Sequence, residues 1–65
     1  MTTSPAPDQL REALRSQLLR LAEHEDDVAA TEAEHIHYWE AMPASITSHR
    51  QAAAALRAAA DDLLE

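Results

Sequence analysis

Residues 14–43, LRSQLLRLAEHEDDVAATEAEHIHYWEAMP, carry the pattern that decides the fold. Leu14, Leu21, Val28, His35 and Met42 recur at sevens, and Leu18, Glu25, Glu32 and Trp39 form a second row four positions on. Two rows offset in this way are the seam of a helix that packs lengthwise against another. No proline or glycine interrupts the chain between Asp8 and Met42. Upstream, Pro7 is tolerated in a first helical turn, and Asp8 suits either a cap or the positive end of the helix dipole. Downstream, Pro43 disfavours helical geometry at the residue before it and marks the expected stop. The first helix is therefore expected over about 8–42, after a flexible N-terminal tail, residues 1–7.

Pro43, Ala44 and Ser45 then read as a short connector of the kind that joins antiparallel neighbours. A second helix is expected over about 45–64, capped by Ser45, or by Ser48 with Gln51 completing a capping box. It too has two rows: Ile46, Ala53 and Ala60 in one, His49, Leu56 and Leu63 in the other. Seven alanines between Ala52 and Ala60 make it slender, so a neighbour can approach closely. The reading is all-α, with residues 8–65 forming a single helical hairpin. A rival tracing breaks the first helix near 24–27, where Asp26 or Asp27 could cap a middle helix and give a three-helix bundle. The sevens spacing continues in phase from Leu21 to Val28, which favours the unbroken helix.

The expected lengths imply a partner. A first helix of about 35 residues is ~52 Å long and a second of about 20 is ~30 Å. Folded back at Pro43, the second helix would reach only the neighbourhood of Ala22, and Leu10, Leu14, Leu18, Leu19 and Leu21 would project beyond it. Two-fold pairing with a second copy, giving a four-helix bundle, shelters them at least cost. A helical surface on a larger protein would serve as well. The contact is expected to involve Leu10, Leu14, Leu18, Leu21, Val28, Trp39, Leu56 and Leu63.

Composition narrows the function. The 65 residues hold 12 acids against five arginines, a formal net charge of −7, with no lysine, glycine or cysteine. That balance argues against a nucleic-acid partner, because such affinity comes mainly from Lys and Arg releasing counterions. Without cysteine there is neither a disulfide framework nor a thiolate zinc site. Without glycine there is no phosphate-cradling loop. No apolar run approaches a membrane span, and the N-terminus lacks a signal-peptide pattern, so no membrane contact and a cytoplasmic location are expected. Fifteen of the 30 hydrophobic residues are alanine, so one copy has little with which to build a core. High Ala and Arg without Lys suggests a GC-rich bacterial source.

Two residues conflict with the seam they occupy. Glu25 lies among Leu18, Leu21 and Val28, and Glu32 among Val28, Ile36 and Trp39, both on the stripe expected to be buried. A buried carboxylate must be protonated, hydrated, paired or bound to a cation. His35 follows Glu32 by three positions on the same face. Glu32-Ala33-Glu34-His35 thus forms a Glu-x-x-His arrangement, similar to the metal-binding helices of the ferritin-like di-iron carboxylate family. That resemblance implies a metal held by Glu32 and His35. With a second copy packed antiparallel around Val28 and Ala29, Glu25 of one chain would face Glu32 and His35 of the other, giving two equivalent Glu/Glu/His clusters suited to iron, zinc or manganese. The competing reading is a hydrated or His-paired polar layer that sets register, with no cofactor. His49, in a leucine-type row, is expected near Trp39 or His35 and is a candidate for pH sensitivity. Trp39 is expected to anchor the core and Tyr38 to lie at its rim.

No hydroxyl or thiol has a spacing that predicts a nucleophile with its base, so the chain is read as non-enzymatic; metal-dependent oxidase chemistry would require the dimer site. The leading expectation is a small helical assembly module, a homodimer or an accessory subunit docking on a larger protein. The alternatives are a metal-binding half-bundle and an acidic protein that binds a basic partner.

Overall fold

The computed structural model describes residues 6–37 and 39–64. The remaining expectations for residues 1–5 and Tyr38 lie outside them. Two helices, α1 (Pro7–Glu34) and α2 (Ala44–Asp62), pack antiparallel as a hairpin, and no strand occurs among the described residues. No helix is long and apolar enough to cross a membrane among the described residues. The hairpin measures 58 × 25 × 12 Å, one helix thick, with a radius of gyration of 16.2 Å. A compact chain of this length would have a radius near 11 Å.

α1 is continuous through His24–Asp27, so the three-helix tracing does not hold. Pro7 opens it, Asp8 stands in the first turn facing the positive dipole end, and the Gln9 side chain accepts the Ala6 N–H at 3.0 Å. Its end differs from expectation: the helix stops at Glu34, eight residues before Met42. Four local features compete with continuation. The Thr31 hydroxyl bonds back to the Asp27 carbonyl at 2.9 Å, a pattern that weakens a helix. The last turn carries Glu32 and Glu34 and no base, against the dipole. The His35 ring donates from Nδ1 to the Thr31 carbonyl at 2.8 Å, satisfying a terminal acceptor. Beyond it, a tight turn forms in which Glu40 Oε1 accepts the His37 N–H at 3.2 Å and the Glu40 N–H returns to the His37 carbonyl at 2.9 Å. Pro43 begins α2 rather than ending α1. It is the extended residue before Ala44, and α2 has no side-chain cap, so neither Ser45 nor Ser48 serves as one.

The earlier stop slides α2 along α1. Leu63 and Leu64 now line a surface depression with Asp8, Arg11, Glu12 and Arg15, so α2 reaches the first turns of α1 rather than ending near Ala22. The length difference shrinks to nine residues, about 14 Å. The leucines of α1 are therefore not left bare by an overhang.

The core is narrow. Among the described residues the buried ones are Ala22, Ala29, Ile46, Ala53 and Ala60, four of them alanine. Ile46, Ala53 and Ala60 are the expected row of α2, flanked by half-buried His49, Leu56 and Leu63. On α1 the contact line is Ala22 and Ala29, extended by half-buried Arg15 and, just past the helix end, by half-buried Ile36. That is one position past the expected Leu14–Leu21–Val28 row. Alanine against alanine lets the helix axes approach closely, which leaves the leucines beside the contact rather than inside it. Trp39 is corrected as well: it stands in the connector, 68% exposed, with its ring stacked on His37 at 4.5 Å.

Candidate interaction face and its polar centre

At about 100° per residue, Leu14, Leu18, Leu21, Glu25, Val28 and Glu32 fall on one side of the Ala22–Ala29 line. Ser45, His49, Ala52, Leu56 and Leu63 fall on the matching side of α2. Bonds between the helices show that these two sides form one face. His49 Nδ1 donates to Glu25 Oε2, His49 Nε2 lies 3.5 Å from Glu32 Oε1, and the Ser45 hydroxyl donates to Glu32 Oε2. The opposite face carries the Asp26–Arg57 ion pair, with Glu23 and Arg50 alongside and Leu19 and Leu64 as its larger apolar residues. The slab thus has one side dominated by leucines and one crossed by charge.

On the first side, Leu14 and Leu21 are 52% and 51% exposed, and Leu10 beside them is 55% exposed. Leu18, Val28, Leu56 and Leu63 are half-buried. A second depression, of about 340 Å³, is lined by His24, Asp27, Val28, Thr31 and Glu32, all from α1, so it opens on one helix and lies between no two elements.

The polar centre is a histidine held between two glutamates. Glu25 and Glu32 are seven residues apart, two turns, and His49 from α2 fits level with the gap. Their side chains are 28%, 35% and 33% exposed in the order Glu25, Glu32, His49. As an imidazolium the ring has one N–H for each carboxylate; as neutral imidazole it has one in all. Glu32 has further support: Ser45 is the second residue of α2, so this carboxylate stands at the positive end of that helix dipole. The seam carboxylates are therefore paired within one chain, by a residue of the other helix.

This places each residue singled out by sequence. Glu25 and Glu32 stand two turns apart on one stripe of α1, and both face His49. His35 does not join them; its ring is at the end of α1 on the Thr31 carbonyl. His49 takes the position between them. Glu25 meets the ring at Nδ1 and Glu32 at Nε2, on opposite edges, and among the described residues no three His, Asp or Glu side chains converge on a common point. Ser45 was missed as a ligand of Glu32, since its place near a helix start reads as a cap. Of the expected contact residues, Leu10, Leu14, Leu18, Leu21, Val28, Leu56 and Leu63 lie on or beside the apolar face, while Trp39 lies in the connector. No family model, curated protein or solved structure matches the chain.

Proposed function

We propose that the protein is a helical assembly module whose working surface is the leucine face, and that its partner there is a second copy of itself. The sidedness of the hairpin carries this reading: α2 covers the alanines of α1 and leaves Leu14 and Leu21 half in water. The exposure supports it: Leu10, Leu14 and Leu21 on and beside this face are each more than half exposed, the kind of apolar patch that marks an interaction surface. The apolar side also lies opposite the Asp26–Arg57 side, so stacking two hairpins by their leucine faces keeps that ion pair in solvent.

The reading is tested by thermal unfolding at several protein concentrations. An associating protein gains stability by mass action, so its midpoint rises over a hundredfold increase in concentration. A midpoint that stays constant across that range removes self-association as the function of the face.

A further inference from the structure

Any two-fold pairing requires that each residue meet its symmetry mate's counterpart, so the face must be self-complementary about one point. One point on it has that property. Along α1, Arg11, Leu18 and Glu25 stand seven residues apart on the same side, a base, a leucine and an acid at equal spacing of about 10.5 Å. Leu14 and Leu21 straddle the same centre, near residue 18.

The other helix agrees independently. His49 bridges Glu25 and Glu32, so it lies level with residues 28–29 of α1. Stepping back to residue 18 on α1, some ten or eleven positions, advances α2 equally to residues 59–60. That is the midpoint of Leu56 and Leu63, the two leucines of α2 on this face.

We propose that two copies pair antiparallel through this face with the two-fold axis over Leu18. This inference rests on the self-association proposed above and adds its geometry. Leu18 then packs on Leu18 of the second copy, Leu14 on Leu21, Leu56 on Leu63, and Arg11 stands opposite Glu25. Glu32 lies about 21 Å from the axis, beyond the point where the facing α1 begins, and keeps its solvent exposure and its contacts with His49 and Ser45. Other arrangements pay more in desolvation. An axis near Val28 stacks one Glu–His–Glu group on the other and gathers four carboxylates, and a parallel pairing does the same. The chosen axis overlaps the leucine halves and sends the two connectors to opposite ends of an elongated dimer.

The chain contains no cysteine, so single-cysteine variants report the axis directly. Leu18→Cys is expected to form a covalent dimer under mild oxidation, faster by about tenfold or more than Val28→Cys, whose two copies would lie some 30 Å apart. The charge pairing gives a second readout by equilibrium association of the intact chain. Arg11→Glu is expected to weaken the dimer by about tenfold at low salt, with the gap to the wild type narrowing in high salt. A wild-type chain that is monomeric overturns the pairing itself. A wild-type dimer in which Val28→Cys cross-links and Leu18→Cys does not overturns the axis while leaving self-association standing. An Arg11→Glu chain that dimerises as tightly as the wild type overturns the Arg11–Glu25 pairing.

Discussion

Ala53→Leu tests whether close alanine contact sets the hairpin. Ala53 is fully buried, in the row between Ile46 and Ala60 and facing the helix that contributes Ala22 and Ala29. A leucine adds three carbons where the facing surface is another helix backbone clothed in methyl groups. To admit it the helices must separate, which loosens Ile46, or the new side chain must leave its preferred rotamer. Overpacking of this kind costs about 1–3 kcal/mol. In a domain of this size each kcal/mol shifts the midpoint by about 4–8 °C, so a fall of roughly 5–20 °C is expected. Ala58→Leu provides the control: Ala58 is exposed on the outer side of α2, and its replacement is expected to stay within about 0.5 kcal/mol of the wild type. The assay is thermal unfolding followed by far-ultraviolet circular dichroism, with all three chains at one concentration. Equal midpoints for both variants, or a gain in stability from Ala53→Leu, would refute the alanine seam.

Three further outcomes follow from particular contacts. His49→Ala leaves Glu25 and Glu32 without their shared donor; with all three groups about one-third exposed, the loss is expected to be about 1–2 kcal/mol in denaturant unfolding. A double-mutant cycle with Glu25→Ala should return a coupling of at least about 0.5 kcal/mol, and strict additivity would contradict the bridge. Arg57→Ala removes an ion pair whose members are roughly half exposed, so a change below about 1 kcal/mol that shrinks further in high salt is expected; a larger, salt-independent loss would show that the pair matters beyond its exposure. Trp39→Ala should leave the midpoint nearly unchanged, because that ring packs on His37 in the connector and not in the core. A collapse of helicity in that variant would restore the indole to the core role its position in the heptad suggested.

The sequence shows α2 more faithfully than α1 because the two helices differ in how many stripes are apolar. Around α2 the larger apolar residues are confined to the Ile46 row and the Leu56–Leu63 row, so periodicity and packing coincide. Around α1 the apolar residues spread over Leu14–Leu21–Val28 and Ala22–Ala29, with Leu18 the one apolar member of the row between them. Periodicity favours the stripe with the largest side chains, whereas contact with an alanine-rich partner selects the one with the smallest. A row of leucines signals that something covers it and says nothing of which chain does so. The end of α1 was hidden for a different reason. Pro43 is a strong local signal, but the competing bonds of Thr31, His35 and Glu40 involve side chains that also occur inside helices.

That one boundary also governed the site. Glu25 and Glu32 were legible as anomalies, since acids in a seam demand a partner. His49 was legible as a histidine in a leucine row. Joining them required the register, and a first helix eight residues too long displaces the turn by about 12 Å. The displaced turn puts His49 against Trp39 or His35, and the true one sets it between Glu25 and Glu32. The Arg11–Leu18–Glu25 row needed only the sequence, yet its meaning depends on knowing that this side of α1 is left uncovered by α2.

The claim on which the functional reading stands is that the leucine face is covered by a second copy. Sedimentation equilibrium of the wild-type chain at micromolar concentration measures this without labels or substitutions. A mass of twice 7.2 kDa, reverting toward 7.2 kDa in Leu14→Glu/Leu21→Glu, is the predicted result. A single species at 7.2 kDa throughout the concentration range would contradict it.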